Sequence, residues 1–200
     1  MTYFKHTLAA FALASAAGMA QADENFASLT YGKTIDKISK SNALDANLDR
    51  PNADGIIGSG DNTWGVRLGR QGSDARYYAT YDYVAGTHGG GKLRQENLLG
   101  SYDRFLALTP TTQLFGGGTA GITRLSQDSP GFSRDRGIGY AVGGQVGVLQ
   151  KVAEDVSLEL GYRYLRSNAA AEVSPRHDKK VGSIKLDSAS QTYLAVNYAF

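Results

Sequence analysis

The stretch Gln191-Thr192-Tyr193-Leu194-Ala195-Val196-Asn197-Tyr198-Ala199-Phe200 decides the fold. Counted back from Phe200 in steps of two, one face carries Phe200, Tyr198, Val196, Leu194 and Thr192. The other carries Ala199, Asn197, Ala195 and Tyr193, mostly small or polar. This is the period-2 pattern of a strand with unlike faces. An aromatic residue in the last position of such a strand is uncommon in a soluble protein. It points to a strand whose apolar face meets lipid.

Working back from that strand, the same alternation recurs about eight times. Asn25–Lys33 is the weakest case, with Leu29 and Tyr31 on one face. In Thr63–Arg70, Trp64, Val66 and Leu68 alternate with Gly65, Arg67 and Gly69. In Arg76–Val84, Tyr77, Ala79, Tyr81 and Tyr83 oppose Arg76, Tyr78, Thr80 and Asp82. Arg94–Leu106, Thr112–Arg124, Ile138–Leu149, Asp155–Arg166 and Ser183–Phe200 complete the set, the last overlong for one strand. The intervening segments alternate long and short. Thr34–Asn62, Ala85–Leu93, Leu125–Gly137 and Ser167–Gly182 are long; Gln71–Ala75, Ala107–Thr111 and Gln150–Glu154 are short. Outer-membrane barrels have short periplasmic turns and long extracellular loops. The predicted fold is therefore all-β: a transmembrane antiparallel up-and-down β-barrel of about eight strands. Closure is obligatory, because a free strand edge in hydrocarbon leaves backbone groups unpaired.

Composition agrees. The chain has 200 residues with 25 Gly and 12 Tyr, against 4 Pro and 2 Met, which disfavours helices and suits aromatic-faced strands. A net charge of +2 gives no footprint for nucleic acid. The absence of cysteine excludes disulfides, thiolate metal sites and a lipid-anchored N-terminal cysteine. Lys5 and His6, the apolar run Leu8–Ala17 and the small-x-small triplet Ala20-Gln21-Ala22 read as a signal peptide. The run is too short to span a membrane. The expected organisation is residues 1–22 as a cleaved signal peptide and 23–200 as the barrel domain, exported by the general secretory route.

Tyrosines on the apolar face, namely Tyr31, Tyr77, Tyr83, Tyr102, Tyr162, Tyr164 and Tyr198, suit interfacial girdles. Together with the signal peptide, the Gly- and Tyr-rich strands, Leu158-Glu159-Leu160-Gly161-Tyr162-Arg163-Tyr164 and Tyr198-Ala199-Phe200, the chain resembles the OmpA-like/opacity group of small outer-membrane barrels. The resemblance implies an eight-stranded barrel with variable loops, used for adhesion, immune evasion, envelope stability or limited solute passage. Tyr198 and Phe200 are similar to the C-terminal signal read by the barrel-assembly machinery, with Ala195 where a glycine is favoured. A peptidoglycan-binding domain after the barrel, as in full-length OmpA, is not expected.

At about eight strands the interior is just wide enough for side chains to fill it. The polar face supplies Arg67, Arg76, Asp82, Asp103, Glu159 and Arg163. Pointing inward, these must pair, since isolated charges in a narrow interior are very costly. The expectation is an interior ionic network that stiffens and blocks or gates the barrel; the alternative is separate hydrated charges near the rims. Arg176, His177, Lys179 and Lys180 form a basic cluster suited to lipopolysaccharide phosphates. His88, followed by three glycines, and His177 lack the serine spacing of an outer-membrane lipid deacylase. No catalytic residue, metal or cofactor is expected. Gly116-Gly117-Gly118 lacks the rest of a phosphate loop. The predicted role is structural and surface-interacting: envelope integrity, with loop-mediated adhesion or binding. The predicted partners are outer-membrane lipid, lipopolysaccharide, the assembly machinery and a host or surface ligand. A narrow solute channel and a lipid-A-modifying enzyme are the rival readings.

Overall fold

The computed structural model describes residues 23–40, 56–57, 60–88, 91–128, 135–173 and 182–200. The basic cluster Arg176, His177, Lys179 and Lys180 and the predicted signal peptide lie outside them. Eight long strands build the wall: β1 (Glu24–Lys40), β3 (Asp61–Gln71), β4 (Ala75–His88), β5 (Gly91–Ala107), β6 (Thr112–Asp128), β7 (Asp135–Lys151), β8 (Val156–Ser167) and β10 (Gly182–Ala199). Two short strands, β2 (Ile56–Ile57) and β9 (Ala170–Val173), add to β1 and β10. Neighbours in sequence pair antiparallel, and β1 pairs with β10 to close the barrel.

The register fixes the barrel's proportions. A walk across the ladders from Phe26 passes Gly69, Tyr78, Ser101, Thr119, Gly143, Leu165 and Ala189. It returns to β1 at Asp36, ten residues above its start (36 − 26). Eight strands with this stagger incline by roughly 40° to the axis, which leaves a lumen that side chains can fill.

The faces are reversed relative to a soluble barrel. Leu29, Ile138 and Leu194 are 69%, 71% and 62% exposed, whereas Arg76 and Arg163 are 1% and 0% exposed. So large an apolar exterior is tolerable only against lipid. The outward tyrosines, with Trp64, fall into level groups. Tyr31, Trp64 and Tyr83 are register neighbours towards the long-connection end, and the rings of Trp64 and Tyr83 lie 5.7 Å apart. Tyr77 pairs with Tyr102 towards the short-turn end, and Tyr198 stacks with Phe200 at 6.2 Å.

The strands run further than the sequence pattern indicates. β1 reaches Lys40, β4 reaches His88 and β6 reaches Asp128, all within segments read as connections. Above the apolar band the outward face is no longer apolar, so alternation fades while backbone pairing continues. The overlong last segment is one strand with an irregularity: Lys37 pairs with Ser188, but Ile38 pairs with Leu186. Asp187 is thus an extra residue, and parity flips there. Leu186 is buried and Lys185 faces out.

Candidate functional site: a charge chain across the lumen

The six predicted interior charges share one parity on β3, β4, β5 and β8, and the structure buries all of them. Shear brings residues distant in sequence face to face. Arg67 Nη1 donates to Glu159 Oε1 at 2.9 Å, and Arg76 Nη1 donates to Glu159 Oε2 at 2.6 Å. Arg76 Nε also donates to Asp103 Oδ2 at 2.8 Å. In the second branch, Arg163 Nη1 donates to Asp82 Oδ2 at 2.6 Å. Gln145 joins the branches: its Nε2 donates to Asp103 Oδ1 at 2.7 Å, and its Oε1 accepts from Arg163 Nε at 2.9 Å. The chain Arg67–Glu159–Arg76–Asp103–Gln145–Arg163–Asp82 therefore alternates in sign around one neutral amide. Three arginines balance three carboxylates. That balance matters, because an uncompensated charge at this depth is costly.

Aromatic rings fill the space around the guanidinium groups. Arg67 lies 4.4 Å from the Tyr193 ring centroid, and Arg76 lies 4.6 Å from that of Phe115 and 5.0 Å from that of Tyr78. These contacts add cation–π attraction where water is scarce. The phenol hydroxyls join the polar chain as well. Tyr193 donates to Glu159 Oε1 at 2.8 Å, and Tyr78 donates to Asp103 Oδ2 at 3.0 Å. Parity alone places Tyr78, Gln145 and Tyr193 inward, but not as bridges between these charges.

Two glycines make room for the rings. A Cβ on Gly161 would collide with the Tyr193 ring and its hydroxyl, and one on Gly147 with the Leu160 carbonyl oxygen and the Phe115 ring. Gly161→Ala is therefore expected to lower unfolding stability by about 1–3 kcal/mol, in the range of core overpacking. Urea titration of the folded barrel in detergent would measure it. Tyr193→Leu, which vacates the ring's place, should recover part of the loss in the double variant; strict additivity would refute the packing explanation.

Packed side chains flank the buried charge chain towards both ends. Towards the short turns, Phe26, Leu149, Ser157 and Asn197 line a recess together with Glu24 and Asp155. Towards the other end, Leu99, Ala141, Leu165 and Ala189 form an apolar collar. Above it stand polar groups including Thr34 and Thr63, whose hydroxyls lie 2.6 Å apart.

The remaining sequence candidates are dispersed. His88 is the last residue of β4, opposite Gly91. Tyr198 faces outward with Phe200, whose N–H donates to Asn25 O at 2.8 Å, linking the chain's end to β1. Gly116 and Gly118 face lipid, while Gly117 lies against Asp103 inside. On the outer wall, Lys37, Arg166 and Lys185 share a groove with Tyr140, Tyr164 and Asp187.

A closed, filled barrel with an apolar exterior and aromatic groups at both ends of its wall is an outer-membrane β-barrel protein. The chain belongs to the family of outer membrane protein H (OprH), and its fold is that of the small OmpA-like outer-membrane barrels. The solution structure of OprH from P. aeruginosa in micelles is 50% identical; the match covers 88% of this chain and 99% of that one, with a TM-score of 0.57. The fold is also that of Neisserial surface protein A, at 15% identity, 90% and 100% coverage and a TM-score of 0.66. It is shared too by OprG from Pseudomonas aeruginosa, at 14% identity, 88% and 96% coverage and a TM-score of 0.55. No protein-family model matches the sequence, and no curated protein does.

Proposed function

We propose that this outer-membrane protein is a non-enzymatic structural barrel with a closed lumen, which holds phosphate-bearing outer-leaflet lipid against its outer rim. The observation that carries the reading is the sign of the outward charge near the long-connection end. Among the described residues, Lys33, Lys37, Arg94, Arg124, Arg166 and Lys185 face outward there, against Glu96 and Asp187. Arg124 is partly matched by Glu96 at 3.4 Å, and Lys185 by Asp187 at 3.7 Å. Lys37 and Arg166 keep the groove cationic beside Tyr140 and Tyr164. Guanidinium and ammonium groups over an apolar wall suit a glycolipid whose phosphates sit at the headgroup level and whose chains lie below. Arg176, His177, Lys179 and Lys180, between β9 and β10 in the chain, would add to the same charge. Export through the general secretory route and assembly through Tyr198 and Phe200 belong to this reading.

The test is binding of the folded barrel to vesicles carrying phosphorylated or dephosphorylated lipid A. The triple variant Lys37→Gln, Arg166→Gln, Lys185→Gln is expected to bind the phosphorylated form at least tenfold more weakly, with added salt reducing the difference. Equal binding of both lipids by the unaltered protein would reject the reading. The channel reading predicts steady conductance in planar bilayers, and the enzyme reading predicts an altered lipid-A mass profile on expression. The balanced, buried charge chain supports neither.

A further inference from the structure

At the short-turn end, which faces the periplasm in an outer-membrane barrel, the lumen ends in a recess of about 300 Å³. That volume lies at the small end of ligand sites. Neither the charge chain nor the lipid-facing rim makes use of it. Parity builds its mouth. Glu24 lies two residues before buried Phe26, Lys151 two after buried Leu149, and Asp155 two before buried Ser157, so each occupies an inward position beyond the packed interior. The Asp155 carbonyl accepts from the Ala199 N–H at 2.8 Å, which holds that turn level with the end of β10. The lining carries three carboxylates, Glu24, Glu154 and Asp155, against one ammonium, Lys151. The recess therefore favours a cation, whereas the outer rim is cationic.

A second observation comes from the inner end of the recess, where Asn197 is 3% exposed. Its Nδ2 donates to Ser157 Oγ at 3.3 Å and to Glu159 Oε2 at 3.5 Å. A carboxylate only accepts, so this contact fixes the orientation of the amide. It turns Oδ1 away from Glu159 and towards the recess. That oxygen is buried and has no hydrogen-bond partner among the described residues. Native proteins keep few such atoms. Phe26 and Leu149 add an apolar flank. A water molecule would satisfy the oxygen but would answer neither the apolar flank nor the surplus of carboxylates. We propose that the recess binds a small alkylammonium ligand from the periplasmic side. An N–H of the ligand donates to Asn197 Oδ1, its stem lies against Phe26 and Leu149, and Glu24 and Asp155 hold its charge. Asn197 stands two residues from Ala199 along β10, roughly 7 Å. A diamine on a short alkyl stem spans that distance, with one head at Asn197 and the other at the carboxylates of the mouth.

The probe is cadaverine, titrated into the folded barrel in micelles while the amide resonances of Asn197, Ser157 and Glu24 are followed by NMR. Saturable shifts at these positions are expected. Pentanol, which has the same stem without charge, should produce none. Glu24→Gln combined with Asp155→Asn alters only exposed side chains outside the charge chain. That variant should bind cadaverine at least tenfold more weakly and lose most of the salt dependence. Asn197→Leu, first checked for the heat-modifiable gel shift of a folded barrel, should weaken binding by a similar factor. Absence of saturable shifts with cadaverine, or equal shifts with pentanol, would overturn the proposal. So would binding that survives the loss of both carboxylates, since the diamine would then sit elsewhere. Unchanged binding in folded Asn197→Leu would overturn the part given to the buried oxygen, and with it the two-headed fit.

Discussion

Glu159→Ala is expected to be the most damaging single change in the lumen, lowering unfolding stability by about 3–5 kcal/mol. Glu159 accepts from Arg67, Arg76 and Tyr193 at 2.9, 2.6 and 2.8 Å. Its removal leaves Arg76 with Asp103, but leaves Arg67 without a carboxylate within ion-pair distance among the described residues. The Tyr193 and Tyr78 rings beside Arg67 offset part of this, on the order of 2 kcal/mol. The lumen also gains one net positive charge. Two measurements follow: the urea midpoint of the folded barrel and its conductance in planar bilayers. Stability should fall, and an anion-preferring conductance should appear where the closed-lumen reading expects none from the unaltered protein. Glu159→Gln, which keeps the shape and loses the charge, should fall between the two. Unchanged near-zero conductance in Glu159→Ala and in Arg163→Ala would count against gating. Unchanged stability would show that the charge chain does not hold the barrel.

Much of this architecture is legible in the sequence because a strand has only two faces. Once the Tyr198–Phe200 face is assigned to lipid, parity places Arg67, Arg76, Asp82, Asp103, Glu159 and Arg163 inside. Parity cannot say which of them meet. Arg67 and Glu159 are 92 residues apart, and Arg163 and Asp82 are 81 apart. Their contact depends on the ten-residue stagger of the closed wall, which no single strand carries. The tyrosines illustrate the same limit. Tyr77, Tyr81 and Tyr83 face lipid, while Tyr78 turns inward to Asp103, and only its place in the alternation separates it from them. Strand ends were harder still. The sequence alternation of β1 extends over Asn25–Lys33, where Lys33 interrupts the apolar face, yet pairing with β10 continues through Lys40. The extra residue at Asp187 likewise leaves no local signature, since a bulge shows only against a paired strand.

The second branch allows a sharper test, because its partners can be neutralised together. Asp82 takes its ionic contact from Arg163, which has Gln145 and Gln191 as further acceptors at 2.9 and 3.4 Å. Arg163→Met should cost about 3–5 kcal/mol, since it strands a carboxylate in the lumen; Asp82→Asn should cost a similar amount by stranding the guanidinium. The double variant removes both charges and keeps the volume. It should therefore recover a coupling energy of about 1–3 kcal/mol relative to the sum of the singles. Simple additivity would mean that the 2.6 Å contact is incidental to stability.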